Sequence, residues 1–223
     1  MTKPVLLITC EHAGNSVPKE FSSLFQVHIT ELDSHLGWDP GAWEIAVSFA
    51  KSLGTTPHGC HTSRLLIEPN RSLHSSQLFS HVTRQLPKSQ KQKLINNIYL
   101  PYRNLIEEKI NKATGFVLHL SIHTFTPVFN NQIRAVDIGL LFDPGRHAEK
   151  TFCEAYAENI SRAFPHLAVR FNEPYKGVDD GFTTYLRTRF DNGQYAGIEI
   201  EINQKFSTSV QDMAKGLAAA LPQ

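Results

Sequence analysis

The chain has 223 residues, of which 41% are hydrophobic, and this is enough apolar material for the core of one α/β domain. Its 22 lysines and arginines nearly balance its 21 aspartates and glutamates, so the formal net charge is only +1. A charge this close to zero gives no electrostatic reason to expect nucleic acid or an anionic membrane as a partner, and it favours a small-molecule substrate.

The first residues and the cysteines predict a cytoplasmic protein. The chain runs from Met1 into a strand-like segment without the apolar stretch of a signal peptide, and no run reaches the ~18 apolar residues of a transmembrane helix. Cys10, Cys60 and Cys153 are odd in number and lack CxxC spacing, which is typical of a reducing compartment. We expect all of them to be buried thiols.

Strand-like and helix-like segments alternate along the chain. The predicted strands are 5–10, 62–67, 116–122, 136–142, 167–171 and 196–202. The predicted helices lie near 40–53, 88–113, 147–163, 181–190 and 208–221. This order predicts a three-layer α/β/α sandwich around a central mixed, mostly parallel sheet.

Two further features concern the organisation of the chain. Pro101 lies inside the second predicted helix and is expected to kink or divide it. The segment 73–88 is rich in Ser, His and Gln and is predicted to be a long loop or flap. No domain boundary is visible, so residues 1–223 are predicted to form a single domain.

Two histidines follow apolar runs of the predicted sheet. His12 comes just after strand 5–10, and His123 just after strand 116–122. If these strands are neighbours, both imidazoles emerge at the edge where open α/β sheets bind ligands. A lone histidine at a strand end is often structural, so it is the pairing that indicates a metal site. His119 shares a strand face with His123 and is expected to be a core or supporting residue.

Asp39 lies between the two histidines in the sequence and has two possible roles. It precedes Pro40 at the start of a predicted helix, which is a preferred arrangement for a helix N-cap. Its carboxylate is equally suited to ligate a metal, and the two roles do not exclude each other.

The strand 196–202 is unusual because two acids, Glu199 and Glu201, alternate with isoleucines and share one face. Carboxylates on a buried strand are costly unless they meet a cation or a metal. The pattern therefore indicates either a solvated outer face or a central strand that carries a general base.

Basic residues offer candidates for binding a substrate carboxylate. Asn70 and Arg71 place an amide beside a guanidinium after an apolar run, a pair that can hold a carboxylate bidentately. Arg64 and Arg134 are further candidates of the same kind. For each arginine, a structural salt bridge is the alternative interpretation.

Four segments, taken in order, suggest a family. They are Cys10–Asn15, Ser63–Arg71, Asn172–Gly177 and Ile198–Glu201. Together they resemble the N-formylglutamate amidohydrolase family from about residue 5 to residue 205, and their order and spacing make the resemblance specific. This family is similar to the zinc carboxypeptidase and aspartoacylase group, which implies a carboxypeptidase-like fold, one Zn²⁺ and hydrolysis of an amide next to a carboxylate.

The resemblance also implies roles for individual residues. His12 and His123 match the two histidine ligands of zinc. Asn70 and Arg71 match the pair that binds a substrate carboxylate, and Glu201 matches the glutamate that activates water.

The third protein ligand is where the chain departs from the carboxypeptidase pattern. Zinc carboxypeptidases carry His-x-x-Glu, whereas Asn15 stands three residues after His12. The carboxylate must come from elsewhere, and we predict Asp39. Glu11 is the alternative, but it would point to the opposite face if its strand continues regularly.

The leading hypothesis is a zinc-dependent amidohydrolase that cleaves the amide of a small N-acyl, N-formyl-like amino acid. The stretch Gly37–Gly41 departs from the histidine-utilisation enzymes, so the acyl group and the amino acid stay open, as does the oligomeric state. One alternative is a non-catalytic small-acid binding protein on the same fold, which Asn15 suggests. Another is a peptidase or cell-wall amidase, which a long open cleft would favour.

Overall fold

The computed structural model describes residues 3–222, except for the side chains of residues 207 and 208. Its strands, in chain order, are β1 (Val5–Cys10), β2 (Pro57–Gly59), β3 (Val117–Phe125), β4 (Val128–Phe129), β5 (Gln132–Ile133), β6 (Ile138–Leu141), β7 (Val169–Phe171) and β8 (Tyr195–Asn203). Six of them form one sheet in the order β2-β1-β3-β8-β6-β7, while β4 and β5 form a separate antiparallel pair. Only the β6–β8 pairing of the larger sheet is antiparallel, so this sheet is mixed and mostly parallel, as predicted.

Helices cover both faces of this sheet. They are α1 (Ile29–Leu32), α2 (Ala42–Ser52), α3 (Lys88–Leu94), α4 (Leu100–Lys112), α5 (His147–Ala163), α6 (Phe182–Arg189) and α7 (Val210–Ala219). Helices α2, α5 and α7 pack on one face and build the main core, and α4 and α6 pack on the other. The predicted three-layer architecture is confirmed.

The central strands β3 and β8 are buried on both faces, but the two faces differ in chemistry. The apolar positions that face the main core are Leu118, Leu120, Ile122, Ile198, Ile200 and Ile202. The intervening positions include His119, Ser121, His123, Glu199 and Glu201. Because side chains alternate along a strand, one face of the sheet supplies the core and the other collects titratable groups.

The prediction of a strand at 62–67 is wrong. This segment forms a buried turn, in which the amide of Leu66 donates to the carbonyl of Ser63 at 2.9 Å. Its apolar residues enter a separate cluster with Leu78 and Tyr99, and a short buried apolar run has the same pattern whether it lies in a strand or in a turn. The strand at one edge of the sheet is β2. It was not predicted because its three residues include Pro57 and Gly59, which are uncommon inside strands.

The predicted helix 88–113 is present as a continuous helical segment from Lys88 to Lys112 with a π turn at Ile95–Tyr99. The amide of Leu100 donates to the carbonyl of Ile95, five residues back. Pro101 has no amide hydrogen to donate, so the regular hydrogen-bond pattern of the helix is interrupted close to this π turn. Residues 73–87 contain neither a helix nor a strand, which agrees with the predicted loop.

Candidate metal centre and substrate cleft

The fold brings His12 and His123 together on the polar face of the sheet. Strands β1 and β3 are parallel neighbours with Thr9 opposite Ser121, so the residues that follow advance side by side. His12 lies two residues beyond β1, whereas His123 lies inside β3, which ends three residues later than predicted. The two imidazole rings are 5.0 Å apart between centroids, and both are buried.

Asp39 lies between the two imidazoles. Its Oδ2 is 3.1 Å from Nδ1 of His12 and 2.9 Å from Nδ1 of His123, while Arg64 donates to its Oδ1 at 3.0 Å. The backbone places the carboxylate there because the amide of Asp39 donates to the carbonyl of His12. The ligand-capable atoms of His12, Asp39 and His123 all lie within 4.8 Å of one another.

The helix-cap interpretation of Asp39 is wrong. Helix α2 begins at Ala42, and its N-cap is Gly41, which adopts a left-handed φ of 85°. A glycine adopts this conformation at no steric cost, so the chain turns at Gly41 and leaves the Asp39 side chain for the histidines.

Each histidine is held on its outer nitrogen by another carboxylate. Nε2 of His12 lies 2.6 Å from Glu68, and Nε2 of His123 lies 3.1 Å from Glu11 and 2.9 Å from the hydroxyl of Ser121. Hydrogen bonds of this kind fix the orientation of metal-binding imidazoles. Glu11 therefore supports His123 from behind, rather than replacing Asp39 between the rings.

These contacts create a shortage of positive charge at the centre. A carboxylate only accepts hydrogen bonds, and a neutral imidazole has one N–H group. Each ring has carboxylates at both of its nitrogens, so one nitrogen faces an acceptor with its lone pair unless it binds a proton or a cation. Burial alone would lower the pKa of His123, but hydrogen bonds to Asp39 and Glu11 raise it well above its ordinary value. Burial would raise the pKa of Asp39, yet His12 and His123 hold it well below its usual range. The donor set fits a divalent cation bound between the rings.

Glu201 lies beside this centre on β8, directly opposite His123 in the strand register. Its carboxylate is buried, and its Oε2 has no hydrogen-bond partner among the described residues. Burial raises the pKa of Glu201 to about 7, and the negative charges of Asp39 and Glu199 act in the same direction. Glu199 differs because the hydroxyl of Thr183 donates to it at 2.6 Å.

A polar cleft of about 170 Å³ opens onto the centre. His12, Asp39 and His123 lie in its wall, together with both glutamates of β8. Its other described residues include Asn70, Arg71, Tyr175 and Lys176. The cleft therefore joins the acidic, histidine-rich centre to a wall that carries basic groups.

The predicted substrate-binding residues occupy different places around this cleft. Asn70 and Arg71 line it, with the amide of Phe182 donating to Oδ1 of Asn70 at 2.7 Å and Arg71 donating to the carbonyl of Asp180 at 2.8 Å. Arg64 also lines it, but its guanidinium donates to Asp39 and Glu68.

Arg134 is not among the described residues that line the cleft. It lies over the rings of Phe129 and Tyr175, with its guanidinium carbon 4.7 Å and 5.3 Å from their centroids. It also donates to the hydroxyl of Tyr175 at 3.3 Å. Its link to the cleft is therefore through Tyr175, which does line it.

Glu68 was not among the predicted site residues. The available signal was an acid that ends the apolar run Leu65–Ile67, where an unpaired charge would be costly. Asn15, which occupies the place of the carboxypeptidase glutamate, donates instead to the carbonyl of Leu32 and to Asp33, away from the centre.

His119 lies deeper on the same strand face. Its ring nitrogens lie 2.7 Å from the hydroxyl of Thr9 and 2.7 Å from that of Tyr195. Burial lowers its pKa to about 4, so it is a neutral residue of the interior, as expected.

A family model for N-formylglutamate amidohydrolase matches residues 5–207. The chain belongs to the N-formylglutamate amidohydrolase family. This family consists of hydrolases that act on an amide, so the protein is an amidohydrolase with a small substrate of the N-formylglutamate type. No curated protein matches the chain.

Two solved structures are similar to this member of the family. A gene product from Agrobacterium tumefaciens is 25% identical and superimposes with a TM-score of 0.81 over 98% of this chain and 89% of the other. A metallo-carboxypeptidase from Burkholderia cenocepacia is 11% identical, with a TM-score of 0.43 over 98% of this chain and 56% of the other. Among the described residues, no helix combines the length and apolar character that crossing a membrane requires.

Proposed function

We propose that the protein is a zinc-dependent amidohydrolase that cleaves the amide of a small N-acyl amino acid of the N-formylglutamate type. The observation that supports this best is the shared position of Asp39 Oδ2 between Nδ1 of His12 and Nδ1 of His123. Two imidazoles and one carboxylate are a ligand set of catalytic zinc sites, which keep a further position open for water or substrate. Bound there, zinc would lower the pKa of water toward ~7 and polarise the amide carbonyl.

The surrounding carboxylates support the same assignment. Glu68 and Glu11 hold the outer nitrogens, so the Nδ1 atoms are left for the cation. Arg64 occupies the second oxygen of Asp39 and one oxygen of Glu68. We assign Arg64 the role of orienting these two carboxylates and forming the cleft wall nearest the metal.

Glu201 is the proposed general base. Its unpartnered Oε2 belongs to a residue that lines the cleft, and its strand position is directly opposite His123. A carboxylate with a pKa near neutrality can accept a proton from the attacking water and deliver it to the leaving nitrogen. Arg71 contributes to the reaction by positioning the substrate rather than by transferring protons.

Asn70 and Arg71 are proposed to hold the substrate carboxylate at the other side of the cleft. The Asn70 oxygen is occupied by the amide of Phe182, so its NH₂ group is the part that can donate to a substrate. Arg71 supplies the charge, and a fixed carboxylate places the scissile amide at the metal. Arg134 is assigned an indirect role through its contacts with Tyr175 at the cleft wall.

Two observations argue against the alternative functions, a binding protein and a peptidase or cell-wall amidase. The missing acid at Asn15 suggested a binding protein without a complete metal site, but Asp39 occupies the position between the rings. The cleft of about 170 Å³ is small compared with the roughly 300–1,000 Å³ of pockets for drug-sized ligands, which favours a small N-acyl amino acid over a peptide or cell-wall polymer.

A substrate screen tests the proposal. Zinc-loaded protein is incubated with N-formyl and N-acetyl amino acids, and with matched compounds in which each carboxylate is replaced by a neutral amide. Release of free amine from the acids, lost on chelation and restored by zinc, is the expected result. Arg71→Ala should lower kcat/KM for the acids by about 10- to 100-fold, the usual worth of a charge-assisted hydrogen bond, and should affect the neutral compounds much less.

Two results would contradict the proposal. One is equal turnover by chelated and zinc-loaded protein. The other is no amine release from any compound by protein that carries one equivalent of zinc, which would favour the binding-protein alternative.

A further inference from the structure

A second group of metal-binding side chains lies outside the cleft. It consists of His28, which is the N-cap residue of α1, Glu31 within α1, and His81 from the loop 73–87. Nδ1 of His28 lies 2.9 Å from Oε1 of Glu31, and Nε2 of His81 lies 2.9 Å from Oε2. None of the three takes part in the chemistry proposed for the cleft.

The three side chains of this group converge closely enough to share one cation. His28 and Glu31 are three residues apart, so a helical turn places them on one face. The two imidazole rings meet edge to face with centroids 5.4 Å apart, and one potential ligand atom from each residue lies within 4.8 Å of the others. Two nitrogens on one tetrahedral zinc ion are about 3.3 Å apart, a contraction that these partly exposed side chains can make by rotation.

We propose that His28, Glu31 and His81 form a second zinc-type cation site that ties the loop 73–87 to α1. Imidazole nitrogens favour zinc and related transition metals, whereas Mg²⁺ and Ca²⁺ prefer sites made of oxygen. The side chains are 26%, 33% and 47% exposed, so water can complete the coordination and the ion can exchange without opening the fold. This exposure also predicts weaker binding than at the buried centre.

The position of the site gives it a structural consequence. Within the loop, Leu78 accepts a hydrogen bond from the amide of Glu68 and packs against the turn that carries Arg64 and Glu68. On the other side, α1 leads directly to the segment that ends at Asp39. A cation at His81 therefore restrains both stretches of chain that position the carboxylates of the catalytic centre.

Zinc stoichiometry of the full-length chain tests the proposal. Equilibrium dialysis against buffered free zinc should show one weak equivalent that is lost in His81→Ala and in Glu31→Gln, whether or not the tight site binds. The matched control is His74→Ala, which removes an exposed histidine of the same loop and should keep it. The double variant His12→Ala/His123→Ala should also keep it, and this separates failure of the second site from failure of the proposed catalytic site.

A protection experiment tests the tie between the loop and α1. In the His12→Ala/His123→Ala background, trypsin cleavage at Arg84 should slow by about tenfold at a free zinc concentration ten times the Kd of the weak site. Adding His81→Ala should remove this protection. Equal zinc content with and without His81, or equal cleavage rates with and without zinc, would overturn the proposal.

Discussion

Each imidazole of the proposed metal centre lies between two groups that only accept hydrogen bonds. His12 has Asp39 and Glu68, and His123 has Asp39 and Glu11. This excess of acceptors is what makes the centre a site for positive charge. In the proposed metal site, the outer carboxylates would act indirectly, by setting which nitrogen of each ring is free.

Glu68→Gln tests this indirect effect. The amide keeps the shape of the side chain but removes its charge, so the hold on Nε2 of His12 weakens. We expect the zinc affinity of the folded protein to fall by about 10- to 100-fold, as for other partners of metal-binding histidines. Its stability should also fall, because the partly buried ion pair with Arg64 is broken. Competition with a chromophoric chelator measures the affinity, and the exposed Glu44→Gln is the matched control. Unchanged affinity in Glu68→Gln would show that this carboxylate does not tune the site.

Glu201 and Glu199 allow a comparison of two acids on one strand face. Glu201→Gln should keep zinc and substrate binding while kcat falls by roughly 10²- to 10⁴-fold, the usual contribution of a general base. Glu199→Gln should cost much less, because the hydroxyl of Thr183 already occupies one oxygen of Glu199. Single-turnover kinetics on both variants measure the difference. A dead Glu199 variant beside an active Glu201 variant would reverse the roles, and two active variants would refute the mechanism.

Strands β3 and β8 show why parts of the fold were predictable. Their apolar positions recur every second residue, and the histidines and glutamates that break the run all fall on one face. The strand predictions near 116–122 and 196–202 were therefore sound, and so was the expectation that His12 and His123 meet. This alternation with a period of two can be recognised in the local sequence, without knowledge of the rest of the fold.

Other elements depended on contacts that the local sequence does not contain. The turn 62–67 has the apolar run of a buried strand, but its place is set by packing against Leu78 and Tyr99, far along the chain. Asp39 followed by Pro40 has the pattern of a helix start, yet the helix begins at Ala42 because Gly41 takes the left-handed turn. Glu68 could not be recognised from the sequence, because its contact with His12 exists only in the folded chain.

Gly139 of β6 provides a test of the packing. A Cβ at this position would lie 2.1 Å from the carbonyl oxygen of Glu173 and 3.2 Å from Cβ of Glu201. Gly139→Ala should therefore destabilise the protein by about 1–3 kcal/mol, the typical cost of overpacking. Urea unfolding measures the change. Gly115→Ala is the control, because its Cβ would meet no described atom within 4 Å, and equal stability of the two variants would contradict this account of the packing.

The whole molecule is organised around one sheet with helices on both faces. The main core lies against α2, α5 and α7, and a second core lies against α4 and α6. A third cluster surrounds the turn 62–67, and Ile98 packs against both the second and the third. The apolar clusters are thus connected through shared strands and shared side chains.

This connectivity supports the proposal that residues 1–223 form one domain and predicts a single unfolding transition. At constant free zinc, urea unfolding followed by far-ultraviolet circular dichroism and by tryptophan fluorescence should give the same midpoint. Circular dichroism reports on all helices, whereas the tryptophans, Trp38 and Trp43, lie near α2. Two separated transitions would divide the chain into independent units.

The zinc content of His12→Ala and His123→Ala tests whether these two histidines bind the metal. Both variants are made in the His81→Ala background, so that the surface site contributes nothing, and the exposed His35→Ala in the same background is the control. After dialysis against buffered zinc, the control should retain about one equivalent. The two variants should retain none while keeping the circular dichroism of the folded protein. Full zinc occupancy in either folded variant would show that this histidine is not a ligand and would contradict the proposed zinc site.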